Sequence, residues 1–161
     1  MTETVRAEGT STSRALPAIL AAGLFCGAMD ITAAFLTWMP KGVSPLRLSQ
    51  GIAGGLLGPA SFRGGWATGA LGLGFHFLIA LTAAAVFFAA SRRLPVLLEH
   101  PWLAGIGYAL LVYGFMYWIV MPLSRLRRGA VTMPYTVTAI VTHIVCVGLP
   151  ISLVVHRFSR R

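Results

Sequence analysis

One acidic side chain lies inside the long apolar runs of this sequence. Asp30 falls within LPAILAAGLFCGAMDITAAFLTW, a stretch that otherwise has the composition of a membrane-spanning helix. A charged side chain at the centre of a bilayer costs about 2.5–3.5 kcal/mol on insertion scales, so an ionisable residue at that depth indicates a functional site. Two histidines, His76 and His143, lie in two other apolar runs. These three residues form the candidate site.

Several kinds of chemistry are open to one carboxylate and two imidazoles. Together they can pass a proton or a cation near neutral pH, as intramembrane Asp and His chains do. They are also enough ligands for a zinc ion with one open position, to which Cys26 or Cys146 could add a thiolate. In an up-down-up-down bundle, His76 and His143 could instead be the two axial ligands of a b-type haem. A fourth interpretation is purely structural, with an Asp–His pair holding helices together.

The composition is that of a membrane protein. Of 161 residues, 57% are hydrophobic and 11% are charged, whereas a soluble domain carries about 25% charged residues. The net charge of +9 comes from Lys and Arg scattered over every predicted loop and both ends. This scatter favours contact with lipid head groups and no nucleic acid. Both cysteines lie in apolar runs, which predicts buried thiols and no disulfide framework. No nucleophile elbow or phosphate loop occurs, so the sequence favours no enzyme class.

Four apolar runs exceed the roughly 18 residues that mark a spanning helix. The predicted spans are 15–39, 66–90, 102–123 and 132–155. A disordered polar tail is predicted for 1–14, the four-helix domain for 15–157 and a basic tail for 158–161. Four spans place both ends on one side of the membrane. The Arg92–Arg93 and Arg160–Arg161 pairs next to span ends favour the cytoplasmic side.

The first loop contains a further helix, predicted for 44–58. Ser44 is suited to cap it and Pro45 to occupy its first position. The stretch is too short to span a bilayer, so it predicts an interfacial or re-entrant helix. Two roles are open, a seal on the bundle or a gate. The glycines that would let it lie close to the bundle are Gly51, Gly54, Gly55 and Gly58.

Helix spacing predicts that the three candidate residues lie at one depth. Counted from the ends nearest the first loop, at Trp38, Thr68 and Tyr135, each lies eight residues into its helix. At about 1.5 Å per residue, all three residues lie ~12 Å inside the same membrane boundary. The residues predicted in or next to this layer are Tyr117, Met116, Cys26 and Cys146.

Each candidate residue also shares a helix face with small residues, as Asp30 does with Gly23 and Gly27. Small residues let helices approach closely in a membrane, and polar side chains avoid lipid. We therefore expect Asp30, His76 and His143 to point into the bundle.

Much of the chain resembles a widespread family of small bacterial integral membrane proteins without an established function. The resemblance rests on GAMDITAAF, GVSPLRLSQGIAGGLLGPASFRGGWATGALGLGFHFLIA, YGFMYWIVMPLS and HIVCVGLPI. In general plan these are similar to the YagU-like inner-membrane proteins. The matching positions are Asp30, Gly51, Phe62, Gly64, Gly65, His76, Pro122 and His143. The resemblance implies four spans and a bacterial cytoplasmic membrane, and it implies no reaction.

The sequence therefore predicts an all-α integral membrane protein, a bundle of four transmembrane helices with a short helix in the first loop. The preferred function is a proton- or cation-linked transporter or channel. Because four spans are few for a transporter, a homo-oligomer in the lipid bilayer is expected. The alternatives are a protein that binds metal or b-type haem through its histidines, and a structural membrane protein.

Overall fold

The structure is a computed structural model that describes the backbone of residues 2–126 and 133–160 and the side chains of 15–126 and 133–160. Its helices are α1 Thr2–Trp38, α2 Pro45–Leu57, α3 Gly65–Arg93, α4 Val96–Glu99, α5 Pro101–Phe115, α6 Met121–Leu123, α7 Met133–His143 and α8 Leu149–Ser159. Turns of 3₁₀ helix at Met39–Lys41 and Gly58–Arg63 follow α1 and α2. Turns of π helix at Met116–Val120 and Ile144–Gly148 join α5 to α6 and α7 to α8. The described ranges contain no strand.

Four stretches are long and apolar enough to cross a membrane. They are Ala15–Lys41, Gly65–Arg93, Pro101–Leu123 and Met133–Ser159, called here the first, second, third and fourth span. This confirms the predicted all-α, four-helix membrane fold. The ends differ from the predicted ones by at most four residues, the largest difference being at Ser159.

The two ends of the chain differ from the prediction. Helix α1 begins at Thr2, so the backbone of 2–14 is helical where the sequence predicts a disordered tail. This segment has no proline, so the helix of the first span can continue through it, although Gly9 and the Thr and Ser residues there have low helix propensity. Helix α8 continues to Ser159, beyond the predicted start of the basic tail at 158. Residues 1, 127–132 and 161, which the predictions include, lie outside the described part of the chain.

Helix α2 begins where the sequence predicts. The Ser44 side chain accepts a hydrogen bond from the Arg47 amide at 3.2 Å, and Pro45 occupies the first helical position. Proline fits there because the first amides of a helix have no partner within the helix. The helix ends at Gly58, whose φ of +66° is a conformation that other residues rarely adopt.

Two spans contain a turn of π helix, and a proline follows each turn by two residues. Pro122 follows Met116–Val120, and Pro150 follows Ile144–Gly148. A proline has no N–H for the carbonyl four residues earlier, and its ring crowds that carbonyl. A wider turn relieves this conflict locally, and π turns occur frequently at functional sites.

The apolar core lies towards the second loop, residues 94–100 between the second and third spans. Ala22, Ala84, Phe87, Ile151 and Val155 are almost fully buried there. By contrast, much of the outer surface is apolar and exposed, as expected of helices that face hydrocarbon. The most exposed examples on the third span are Leu103, Leu111, Trp118 and Leu123.

Candidate functional site

Asp30, His76 and His143 line one cavity in the middle of the bundle. The first, second and fourth spans each contribute one of them, and all three side chains are half-buried. The cavity has a volume of about 130 Å³. Since a water molecule needs only about 10–15 Å³ of such space, the cavity has room for several. The structure therefore brings together the three residues that the sequence singled out.

Each histidine ring is oriented by a backbone carbonyl. His76 Nε2 lies 2.9 Å from the Gly27 oxygen, and His143 Nδ1 lies 2.8 Å from the Ala139 oxygen. A carbonyl can only accept, so each of these ring nitrogens is the donor. The other nitrogen, Nδ1 of His76 and Nε2 of His143, remains for a water molecule or a proton. Within the described part of the chain, neither histidine ring makes a hydrogen bond to Asp30.

Glycine at position 27 makes the His76 bond possible. A Cβ atom at Gly27 would lie 2.9 Å from two ring carbons of Phe77. Any larger residue would push the second span away and lengthen the contact between the His76 ring and the Gly27 oxygen. The small residue therefore sets the position of the histidine, in agreement with the predicted small-residue face.

The Asp30 carboxyl group has no protein partner among the residues that the structure describes. None of them donates a hydrogen bond to it or forms an ion pair with it. The predicted Asp–His pair is thus not formed directly. A carboxyl group in such a position is stabilised by water or by carrying a proton, and the cavity beside it has the space for water.

The predicted neighbours separate into two groups. Met116 and Cys26 line the cavity with the three ionisable residues. Cys146 is buried but does not line it, and Tyr117 is not part of its wall either. Cys26 is almost fully buried, with its thiol 3.4 Å from the Gly23 oxygen, so it acts as an apolar wall residue.

Tyr113, which the sequence analysis did not single out, contacts the site directly. Its ring centroid lies 5.5 Å from that of His143 in an edge-to-face arrangement. Tyr117 stacks on Tyr113, with their ring centroids 5.8 Å apart. The two tyrosines are four residues apart and therefore share a helix face. That spacing was the signal that could have found Tyr113.

The geometry does not fit a metal ion or a haem. Among the residues that the structure describes, no three His, Cys, Asp or Glu side chains are close enough to hold one metal ion. Drug-sized ligands occupy pockets of about 300–1,000 Å³, whereas the volume between His76 and His143 is about 130 Å³. The His76 nitrogen Nε2 is also engaged by the backbone. Among the described residues, neither alternative therefore has a preformed site.

A second, smaller pocket lies on the first-loop side of the site. It has a volume of about 100 Å³, and its wall includes His143 and the hydroxyl residues Thr37, Thr138 and Thr142. We call it the threonine pocket. His143 lines both the threonine pocket and the central cavity.

Two aromatic rings stand at the outer end of the threonine pocket. The ring centroids of Trp38 and Tyr135 lie 5.7 Å apart, and the Lys41 ammonium lies 4.6 Å above the Trp38 ring. Both rings lie near the span ends next to the first and third loops, where Trp and Tyr are common at the membrane boundary. The threonine pocket thus lies between the central cavity and this membrane boundary.

Towards the second loop, the cavity is closed by apolar side chains. Cys26 and Val147 form its inner wall, and behind them lie the buried Ala84, Phe87 and Ile151. The hydroxyl groups of Tyr108 and Ser152, which are at least partly buried in this half, donate to backbone carbonyls. The second-loop side of the site is therefore mainly apolar.

The first-loop helix contributes to the cavity, though not through its glycines. Ile52 of α2 lines the cavity, whereas the predicted gate residues Gly51, Gly54, Gly55 and Gly58 do not. Gly54 packs closely against Leu126 and Ser61, and Gly58 makes the turn. A Cβ atom at Gly51 would meet nothing within 4 Å. Helix α2 thus closes the cavity with an apolar side chain.

Comparison with protein-family models, with curated proteins and with solved structures finds no match for this chain. The resemblance to small bacterial membrane proteins and to YagU-like proteins therefore stays a prediction.

Proposed function

We propose that this protein is a proton-linked transporter of a bacterial cytoplasmic membrane. The observation that carries the proposal is that Asp30, His76 and His143 line one cavity with room for water. Intramembrane Asp and His residues around water are the usual components of proton pathways. A metal cation would need several oxygen ligands, and Asp30 is the only carboxylate in the cavity wall, so protons are favoured over cations.

The threonine pocket supports proton exchange with the first-loop side. Thr37 and Thr138 donate their hydroxyl protons to the Ala33 and Pro134 carbonyls at 2.7 and 2.9 Å. Their oxygens can still accept hydrogen bonds from water. A proton delivered there would be accepted by His143, which lines both spaces. Cavity water would then carry a proton between His143, Asp30 and His76.

The closed apolar core favours a transporter over an open channel. A continuous channel would need polar groups or water on both sides of the site. The core towards the second loop is mainly apolar, and its Tyr108 and Ser152 hydroxyl groups are bonded to backbone carbonyls. Release on that side requires a movement of the spans. The π turns at Met116–Val120 and Ile144–Gly148 adjoin the cavity and give the third and fourth spans places to bend.

The remaining parts of the proposal concern orientation and assembly. Arginine pairs next to span ends support cytoplasmic ends of the chain. Four spans provide a small scaffold, so the transporting form is proposed to be a homo-oligomer in the bilayer.

The decisive experiment measures proton flux. Purified protein in liposomes that contain a pH-sensitive dye should acidify the lumen when a proton gradient is imposed. Asp30→Asn removes the group that can ionise while keeping its size, and we expect a loss of about a hundredfold or more, as for other positioned proton-transfer groups.

The matched control is Glu99→Gln, the same change at an exposed acidic residue of the second loop. Its flux should equal that of the unmodified protein. Wild-type flux in both Asp30→Asn and His143→Gln would contradict the proposal.

A structural role is the second candidate, and one observation favours it. The hydrogen bond from His76 to the Gly27 oxygen joins the second span to the first. Hydrogen bonds between membrane helices contribute about 0.6–2 kcal/mol. If the site were only structural, the unmodified protein would carry no proton flux, and Asp30→Asn would change only the stability of the protein.

A further inference from the structure

A second concave surface of this protein faces the hydrocarbon of the membrane. Helix α2, helix α3 and the third span enclose a groove with a volume of about 450 Å³. Leu78 of α3 and Phe115 and Ile119 of the third span line it, and all three are strongly exposed. We call this surface the lateral groove. It is separate from the threonine pocket, with which it shares no residue.

The length and volume of the groove suit one narrow hydrocarbon chain. Along the third span its wall runs from Phe115 to Leu123, a distance of roughly 12 Å at ~1.5 Å per residue. Its volume lies within the range of small-molecule pockets, about 300–1,000 Å³. Apart from Ser124 and from Gly55, which has no side-chain carbon, every residue in the wall has an apolar side chain. Such a surface fits an acyl chain, which has no polar atoms to satisfy.

A cation lies at the membrane-boundary end of the lateral groove. The Arg125 amide donates to the Gly55 oxygen at 2.9 Å, which fixes the start of the third loop against α2. Both Gly55 and Ser124, the neighbour of Arg125, line the groove. The Arg125 side chain is exposed. It follows the last residues of the third span, at the level where lipid phosphates lie.

We propose that the lateral groove binds one anionic phospholipid, with an acyl chain along the third span and the phosphate group at Arg125. The apolar wall and the cation at its end match the two parts of such a lipid. The groove also shares Ile52 and Ile79 with the central cavity. A bound acyl chain would therefore contact two side chains that also line that cavity.

Native mass spectrometry of the detergent-solubilised protein tests this site. Delipidated protein is titrated with phosphatidylglycerol and, separately, with phosphatidylcholine. We expect one phosphatidylglycerol to bind more tightly than phosphatidylcholine. Arg125→Gln should weaken phosphatidylglycerol binding about fivefold, which is the contribution of one basic residue to binding at an anionic membrane surface. The same substitution should leave phosphatidylcholine binding unchanged.

The chain position is tested by filling the groove. Gly55→Leu places a side chain into it, and the position has room because its Cβ would lie 3.7 Å from the nearest atom, Ser124 Oγ. We expect this variant to lose binding of both lipids. Gly51→Leu is the matched control, since it makes the same change on the same helix outside the groove, where no atom lies within 4 Å. Ile119→Trp fills the groove from another helix, so a folding defect of α2 cannot imitate the result.

Several outcomes would overturn the proposal. Equal affinity for the two lipids would exclude the role of Arg125, and undiminished binding in both Gly55→Leu and Ile119→Trp would place the chain elsewhere. If a second copy of the protein covered the groove instead, the two variants would change dimerisation and not lipid binding. Because binding is measured without flux, the result does not depend on the proposed transport.

Discussion

The two histidines of the site differ in what their rings hold together. His76 bonds to the Gly27 oxygen on a different span, whereas His143 bonds to the Ala139 oxygen one turn earlier in its own helix. The first bond therefore contributes to the packing of two helices, and the second only orients a ring. In addition, His143 lines both the threonine pocket and the central cavity. His143 is thus the better candidate for moving a proton, and His76 for stabilising the bundle.

This difference predicts unequal effects on stability. His76→Phe should lower the free energy of unfolding in detergent by about 1 kcal/mol, because an interhelical hydrogen bond is lost. His143→Phe removes only a local bond and should lower it less. Chemical denaturation followed by circular dichroism measures both values. A larger loss in His143→Phe than in His76→Phe would contradict the assignment.

At the scale of elements, the first-loop helix α2 is fastened to the second span. The Gln50 side chain donates to the Gly65 oxygen at 3.0 Å, and Thr68 donates to the Ser61 oxygen at 2.6 Å. The backbones of α2 and α3 also touch, since a Cβ atom at Gly72 would overlap the Ser49 carbonyl. Helix α2 is therefore a fixed wall of the site, and its packing depends on one glycine.

The close approach of these two helices predicts a strong effect of adding one methyl group. Gly72→Ala should destabilise the protein by about 1–3 kcal/mol, the usual cost of overpacking. Gly74→Ala is the control on the same helix, where the Cβ would have no atom within 4 Å. It should leave stability unchanged or raise it slightly, because alanine favours a helix. Thermal unfolding in detergent gives the comparison, and equal melting temperatures for the two variants would disprove the contact.

At the scale of the whole molecule, the two halves of the bundle differ in polarity. The threonine pocket and the Trp38–Tyr135 pair lie towards the first loop. The core around Phe87 and Ile151 fills the other half. The asymmetry follows from where the small and polar residues and the large apolar residues are distributed along the spans. It is the reason for proposing a transporter with access from the first-loop side rather than an open channel.

One-sided access predicts one-sided chemical labelling. In a protein with Cys26→Ala and Cys146→Ala, a cysteine at Thr142, in the wall of the threonine pocket, should react with a membrane-impermeant thiol reagent. The reagent should act from the first-loop side and not from the other.

A cysteine at Ala84, which is fully buried in the apolar core, should react from neither side. Labelling of Ala84→Cys in intact liposomes would show a passage that the fold does not have.

The sequence by itself determined the class of the fold and most of the site. Long apolar runs predict spans because a helix satisfies its own backbone in lipid, and this requirement is local. The positions of Asp30, His76 and His143 along their helices predict a common depth because the rise per residue is constant. The start of α2 was equally local, since Ser44 and Pro45 suit a helix start wherever they occur.

Only the tertiary structure decided which groups these residues meet. The sequence left an Asp–His pair, a metal ion and a haem open, and the packing gives each histidine a backbone partner and the Asp30 carboxyl a water-sized space. It also brought in Tyr113 and Ile52 and left Tyr117 and Cys146 out of the cavity wall. Such contacts depend on the rotation and separation of helices that are distant in sequence. Many residues set these together, and no single stretch of sequence contains them.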